Sequence, residues 1–199
     1  MKLRLSVLLL TAIALLSLPA WANDICQSAS GNIVGNCGFE TGDFTSWSVS
    51  GGGAFAGVTG GAYAYSGNYA AYLGSVGSDM YLSSTSFLQG NTLTFVARQD
   101  PSFWLLDSII LQEVASLGNN QDLYYFQFAL ANLDVGPNDF TVYWNGVDVG
   151  PDLVNAGPFS YTIYSQYLVG SSIPEPGTMI LMGTGLVGIA SMIRRKLGA

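Results

Sequence analysis

Tyr124-Tyr125-Phe126-Gln127-Phe128-Ala129-Leu130 is the stretch on which the fold turns. Tyr124, Phe126, Phe128 and Leu130 alternate with Tyr125, Gln127 and Ala129, and side chains two apart share one face of a β-strand. The same period recurs on both sides of it. Leu93, Phe95 and Ala97 alternate with Thr92, Thr94 and Val96. Phe140, Val142 and Trp144 alternate with Thr141 and Tyr143, and Asn145-Gly146 then supplies a type I′ turn into Val147 and Val149. Tyr161, Ile163, Ser165 and Tyr167 line one face of a last long strand, while the nearly continuous apolar run from Phe103 to Leu111 predicts a strand buried on both sides. Glycines 51, 52, 53, 57, 60 and 61, interleaved with Phe55 and Val58, predict an irregular edge strand. Nothing between 23 and 173 has the period of a helix, and no repeat of fixed length occurs. The expected class is all-β: a two-sheet, jelly-roll-like sandwich of roughly nine or ten strands, flanked by an N-terminal signal helix and a C-terminal transmembrane helix.

The ends of the chain read differently. Lys2 and Arg4 precede an apolar run from Leu5 to Leu18 that only Ser6, Thr11 and Ser17 interrupt, and Ala20-Trp21-Ala22 follows as a small-x-small cleavage pattern. Residues 1–22 are therefore expected to be a signal peptide for the Sec export machinery. At the other end Pro174-Glu175-Pro176 stops any regular element, because two prolines remove donors and restrict their neighbours. An uncharged stretch from Thr178 to Ile193 comes next, then Arg194-Arg195-Lys196. A span of about 177–193 is near the lower limit for a membrane helix, and the basic tail should stay cytoplasmic. The division is 1–22, a 23–173 ectodomain and 174–199, with an inner-membrane anchor at the end.

The proline-bracketed glutamate, short apolar span and terminal basic cluster together resemble the PEP-CTERM sorting signal. The resemblance implies processing near Pro174, Glu175 and Pro176 by an exosortase, a membrane-embedded peptidase/transferase of bacteria that also make exopolysaccharide. It implies an exported protein destined for the cell surface or extracellular matrix. A plain anchor that no peptidase cuts is the alternative.

A second resemblance lies inside the ectodomain. Asn36-Cys37-Gly38-Phe39-Glu40-Thr41-Gly42-Asp43-Phe44-Thr45-Ser46-Trp47 resembles the opening of galactose-binding-like jelly rolls. So do the segment Ala97 to Asp107, with its Arg98-Gln99-Asp100-Pro101, and the segment Gly136 to Gly146. In that family the second of these blocks precedes the first; here they are exchanged, which leaves the strand order open. The resemblance also implies a structural calcium shared by Glu40 and Asp107. The competing reading has Glu40 capping a turn and pairing with Arg98.

Charge and residue inventory exclude several functions. The chain of 199 residues is 49% hydrophobic and only 10% charged. Arg98 is the one base between Asn23 and Ile173, against twelve carboxylates. Such a surface repels phosphate backbones, so nucleic acid is not a partner. There is no histidine, which removes the commonest general base and the usual triads. No G-x-S-x-G elbow, phosphate loop or zinc spacing occurs. Cys26 and Cys37 lack further ligands for a metal and the C-x-x-C spacing of a redox pair, so a structural disulfide is expected in an oxidising compartment. No catalytic residue is expected, and no metal other than the structural calcium that the resemblance implies at Glu40 and Asp107. Tyr63, Tyr65, Tyr69 and Tyr72 lie among Gly, Ser and Asn, so they are better placed for display to a sugar than Phe126 or Trp144, which fall on core faces. The expectation is a non-enzymatic surface protein associated with polysaccharide. A secreted carbohydrate-active hydrolase using paired carboxylates, or an inert structural protein, are the alternatives.

Overall fold

A computed structural model describes residues 23–171 except 53–54, 76–77, 86–87, 89, 99–101 and 136–137. The expectations for 1–22 and 174–199 lie outside the described residues. Among the described residues no helix is long and apolar enough to cross a membrane.

The domain is a sandwich of two antiparallel sheets. Its strands are β1 (Trp47–Gly51), β2 (Phe55–Gly60), β3 (Tyr69–Ser75), β4 (Met80–Ser84), β5 (Leu93–Arg98), β6 (Ser102–Gly118), β7 (Gln121–Asn132), β8 (Asn138–Trp144), β9 (Val147–Asp148), β10 (Leu153–Ala156) and β11 (Phe159–Ser171). One sheet runs β1-β4-β5-β8-β10 with β9 paired to β8; the other runs β11-β7-β6-β3-β2. A single helical turn, α1 (Ile25–Ser28), precedes the strands, and Asp24 caps it by accepting from Cys26 N at 3.0 Å.

The alternation read from the sequence sets the inner faces. Leu93, Phe95, Ala97, Phe126, Phe128, Leu130, Phe140 and Val142 are all buried, and Asn145 and Gly146 both take positive φ in the tight turn. Phe95 packs at 5.3 to 6.2 Å between ring centroids on Trp47, Phe126, Phe128 and Phe140, taking two partners from its own sheet and two from the facing sheet. Trp144 Nε1 donates to Val169 O at 2.8 Å and so links β8 to β11. Of the glycine-rich stretch, Phe55–Gly60 forms the edge strand β2, while Gly51 closes β1 and Gly61 opens the short turn before Tyr63. β6 is buried on both faces from Trp104 to Leu111, and beyond its pairing with β3 the N-terminal segment runs along its edge: Ile109 N donates to Cys37 O, Ile33 N to Leu111 O, and Asn32 pairs with Gln112.

Cys26 and Cys37 form a disulfide, with S–S 2.01 Å and Cα–Cα 5.9 Å. It ties α1 to the segment that inserts Phe39 against Trp47 in the core. Replacing both cysteines by serine should cost about 3 kcal/mol through the freed loop of the unfolded chain. Urea denaturation checks this, and a loss below about 1 kcal/mol would show that the segment's packing alone holds it.

The blocks around Arg98 and Asn138 are neighbours in space. Arg98 at the end of β5 is the register partner of Asp139 in β8, and the chain then crosses to the other sheet to begin β6.

Candidate functional site

The outer face of the five-stranded sheet carries a cleft of about 360 Å³ lined by Thr59, Tyr63, Tyr72, Phe103 and Leu133. Strand parity builds it. Tyr72 opposes Gly57 on one side and Leu105 on the other, and Phe103 opposes Gly74, so Tyr72 and Phe103 project from the same face on a diagonal. Their rings are 5.5 Å apart and 7° from parallel. The glycines opposite them leave the face flat. A Cβ at Gly57 would come within 2.6 Å of Tyr72 Cε1, so the tyrosine ring keeps its place only over a glycine. Tyr63, half exposed, stands at the side of the cleft on the short turn Gly61–Tyr63.

Of the four tyrosines marked in the sequence, Tyr63 and Tyr72 meet in this cleft. Tyr65 packs beside it on Tyr161, with centroids 5.3 Å apart, and Tyr161 Oη donates to Tyr63 O at 2.7 Å. Tyr69 is three residues before Tyr72 on the same strand, so parity places it on the opposite face. Phe103 and Leu133 were not marked, because a phenylalanine opening an apolar run and a leucine in a loop carry no signal of display.

Two carboxylates hold the loop that presents Tyr63 and Tyr65. Asp107 Oδ2 accepts from Tyr65 N at 2.7 Å and Ser66 N at 3.0 Å, while Oδ1 accepts from Ser108 N and Ser108 Oγ. Glu40 Oε1 accepts from Asn68 N at 2.8 Å and Tyr69 N at 2.9 Å, and Oε2 accepts from Asn68 Nδ2 at 3.0 Å. Gly67, with φ of +66°, lets the loop turn over the Glu40 carboxylate, where a Cβ would lie 2.8 Å from Glu40 Cδ. Glu40 therefore caps a turn. It does not pair with Arg98, which belongs to the other sheet: there the guanidinium donates to Tyr143 Oη and sits 3.8 Å from Asp79.

Glu40 and Asp107 are joined through one loop, and their oxygens mostly serve its N–H groups. A carboxylate offers about four lone-pair sites; Asp107 accepts four hydrogen bonds and Glu40 three. What stays open on these carboxylates is one Glu40 position, with the buried Asp24 Oδ2 nearby, so a calcium ion there would draw most of its six to eight oxygens from backbone carbonyls and water.

Burial pushes the Asp107 carboxyl up to about 7, with the Asp24 charge adding to it and three backbone N–H donors pulling the other way. The folded domain therefore keeps a proton on Asp107, with the Ser108 hydroxyl turned to accept it and to donate to Ser66 Oγ instead, at pH values where an unfolded carboxyl, near 4, has lost it. The resulting stability is fully present below about pH 4 and is lost as pH rises through about 7, with an upper bound of about 4 kcal/mol. Thermal unfolding should show a higher Tm at pH 5 than at pH 8, and Asp107→Asn should flatten the difference. An unchanged difference in that variant would assign it to other carboxyls.

A family model for the PEP-CTERM protein-sorting motif matches residues 172–196. No curated protein and no solved structure matches the chain. The motif supports an exported protein sorted by an exosortase, and it begins immediately after the last residue of β11.

Proposed function

We propose that this exosortase-sorted protein is a non-enzymatic polysaccharide binder of the cell surface or matrix. Before processing it is held in the inner membrane by about 177–193, with Arg194, Arg195 and Lys196 inside. Its sandwich is of the galactose-binding-like, jelly-roll type that the Asn36–Trp47 segment resembles, and its ligand lies across Tyr63, Tyr72 and Phe103.

The observation that carries the binding reading is the parallel pair of Tyr72 and Phe103 on an open sheet face. The C–H face of a pyranose is apolar and flat, so it covers such a ring pair, while its rim hydroxyls reach Thr59 Oγ1 and Tyr63 Oη. Among the described residues no carboxylate lines the cleft, whereas glycoside hydrolysis needs two acids flanking the bond. The excess of acidic groups on the ectodomain favours a neutral polysaccharide, whose binding changes little with salt.

Glycan-array binding of the protein released from cells tests this. Tyr72→Ala should weaken binding about tenfold, equivalent to about 1.4 kcal/mol of lost stacking. Gly57→Ala should weaken it similarly by tipping the ring off Phe103, while leaving Tm nearly unchanged. Wild-type protein that binds no glycan, or variants that bind as it does, would remove the cleft from the reading.

A further inference from the structure

We propose that the tip of the β6–β7 hairpin is the lipid-facing end of the domain, and that Val114 and Leu117 rest in the headgroup layer of the membrane until the tail is cut. The inference rests on the membrane-anchor reading above and adds which surface meets the bilayer.

The connectivity places the tip there. Ser171, the last residue of β11, is the register partner of Gln121 at the start of β7, and Gln121 in turn pairs with Gly118. The chain therefore leaves the domain beside the hairpin turn. Only residues 172–177 separate Ser171 from the apolar run that begins at Thr178, and even fully extended they reach about 20 Å. Pro174 and Pro176 stiffen that link, so the tip cannot swing far from the bilayer surface.

The tip itself is built unlike the rest of the sheet. Every residue from Glu113 to Gln121 is exposed, so the hairpin runs past the edge of the facing sheet. The β6–β7 register shifts at Val114 and again at Leu117, leaving each as the extra residue of a bulge. Both are about half exposed. Tyr167 and Val169 of β11, the register partners of Tyr125 and Leu123, are exposed apolar side chains near the same end. No lysine or arginine is present there, whereas Glu113 and Asp122, the partner of Ser116, are, so the surface fits zwitterionic lipid rather than anionic lipid.

The test uses the full chain carrying Glu175→Ala, reconstituted in vesicles of phosphatidylcholine and phosphatidylethanolamine. Cys26 and Cys37 are bonded to each other, so a single added cysteine takes an environment-sensitive fluorophore selectively. Ser116→Cys reports the tip. Ser160→Cys reports the opposite end of β11, about 36 Å away along the strand. Headgroup-attached spin labels should quench the Ser116 probe several-fold more than the Ser160 probe. Adding Val114→Asp and Leu117→Asp should remove most of that difference while the protein still floats with the vesicles. Equal quenching at both ends of a floating protein would overturn the proposal and leave the anchor standing. Protein that fails to float would overturn the anchor reading, and this inference with it.

Discussion

Replacing Glu175 by alanine should leave the chain exported, membrane-bound and uncut in cells that contain the exosortase, with release reduced at least about tenfold, an effect of about 1.4 kcal/mol on the processing barrier. In the sequence Glu175 stands between two prolines immediately before the apolar run, and a residue that precedes proline favours an extended backbone, the form a peptidase binds. A simple anchor requires neither the acid nor both prolines. One interfacial carboxylate contributes little to insertion, so the variant should accumulate in the membrane fraction at the mobility of the uncut form. Gel mobility and fractionation of parent and variant give the answer. A variant that is cut and released as fast as the parent would reduce the tail to an anchor.

Phe95→Ala should cost about 3–5 kcal/mol, a large part of the 5–15 kcal/mol that holds a domain together. Phe95 has no exposed surface and touches rings from both sheets, so truncation leaves a cavity at the point where the sheets meet. The neighbours are rings on paired strands, and they cannot close the space without moving the backbone. Phe95→Leu refills most of the volume and should cost roughly 1–2 kcal/mol. Urea denaturation at constant m distinguishes the two. A loss below about 1 kcal/mol for the alanine variant would mean that the inter-sheet layer is not the main source of stability.

Part of the cleft was legible in advance and part was not. Tyr63 and Tyr72 could be marked because polar and glycine neighbours signal display, but Tyr65 and Tyr69 carried the same signal and face elsewhere. What separates them is strand parity and one loop conformation, and these depend on where β3 begins. Phe103 could not be marked, since it opens a run that is otherwise core and is itself only partly exposed. The partners of the two marked carboxylates were likewise hidden: Glu40 and Asp107 act on N–H groups far from them in sequence, and a pattern of residue types does not report who donates to whom. Arg98 shows the same limit. As the lone base among twelve acids it has many formal partners, and only its place at the end of β5 selects Asp79 and Tyr143.

By itself the sequence determined the sorting motif, read at 174–199 and matched at 172–196, the strand faces around Phe95, Phe126 and Phe140, the tight turn at Asn145-Gly146 and the Cys26–Cys37 bond. Each of these depends on neighbours within a few residues, on a period of two, or on a lone pair of residues with no other candidate. Only the tertiary structure decided which strands lie side by side, that β5 and β8 bring two distant blocks together, that Tyr72 stacks on Phe103, and that the hairpin tip stands beside the exit to the sorting motif. Those are pairings between segments tens of residues apart. Their register is set by how two sheets bury one common layer, and no short stretch of the chain contains that information.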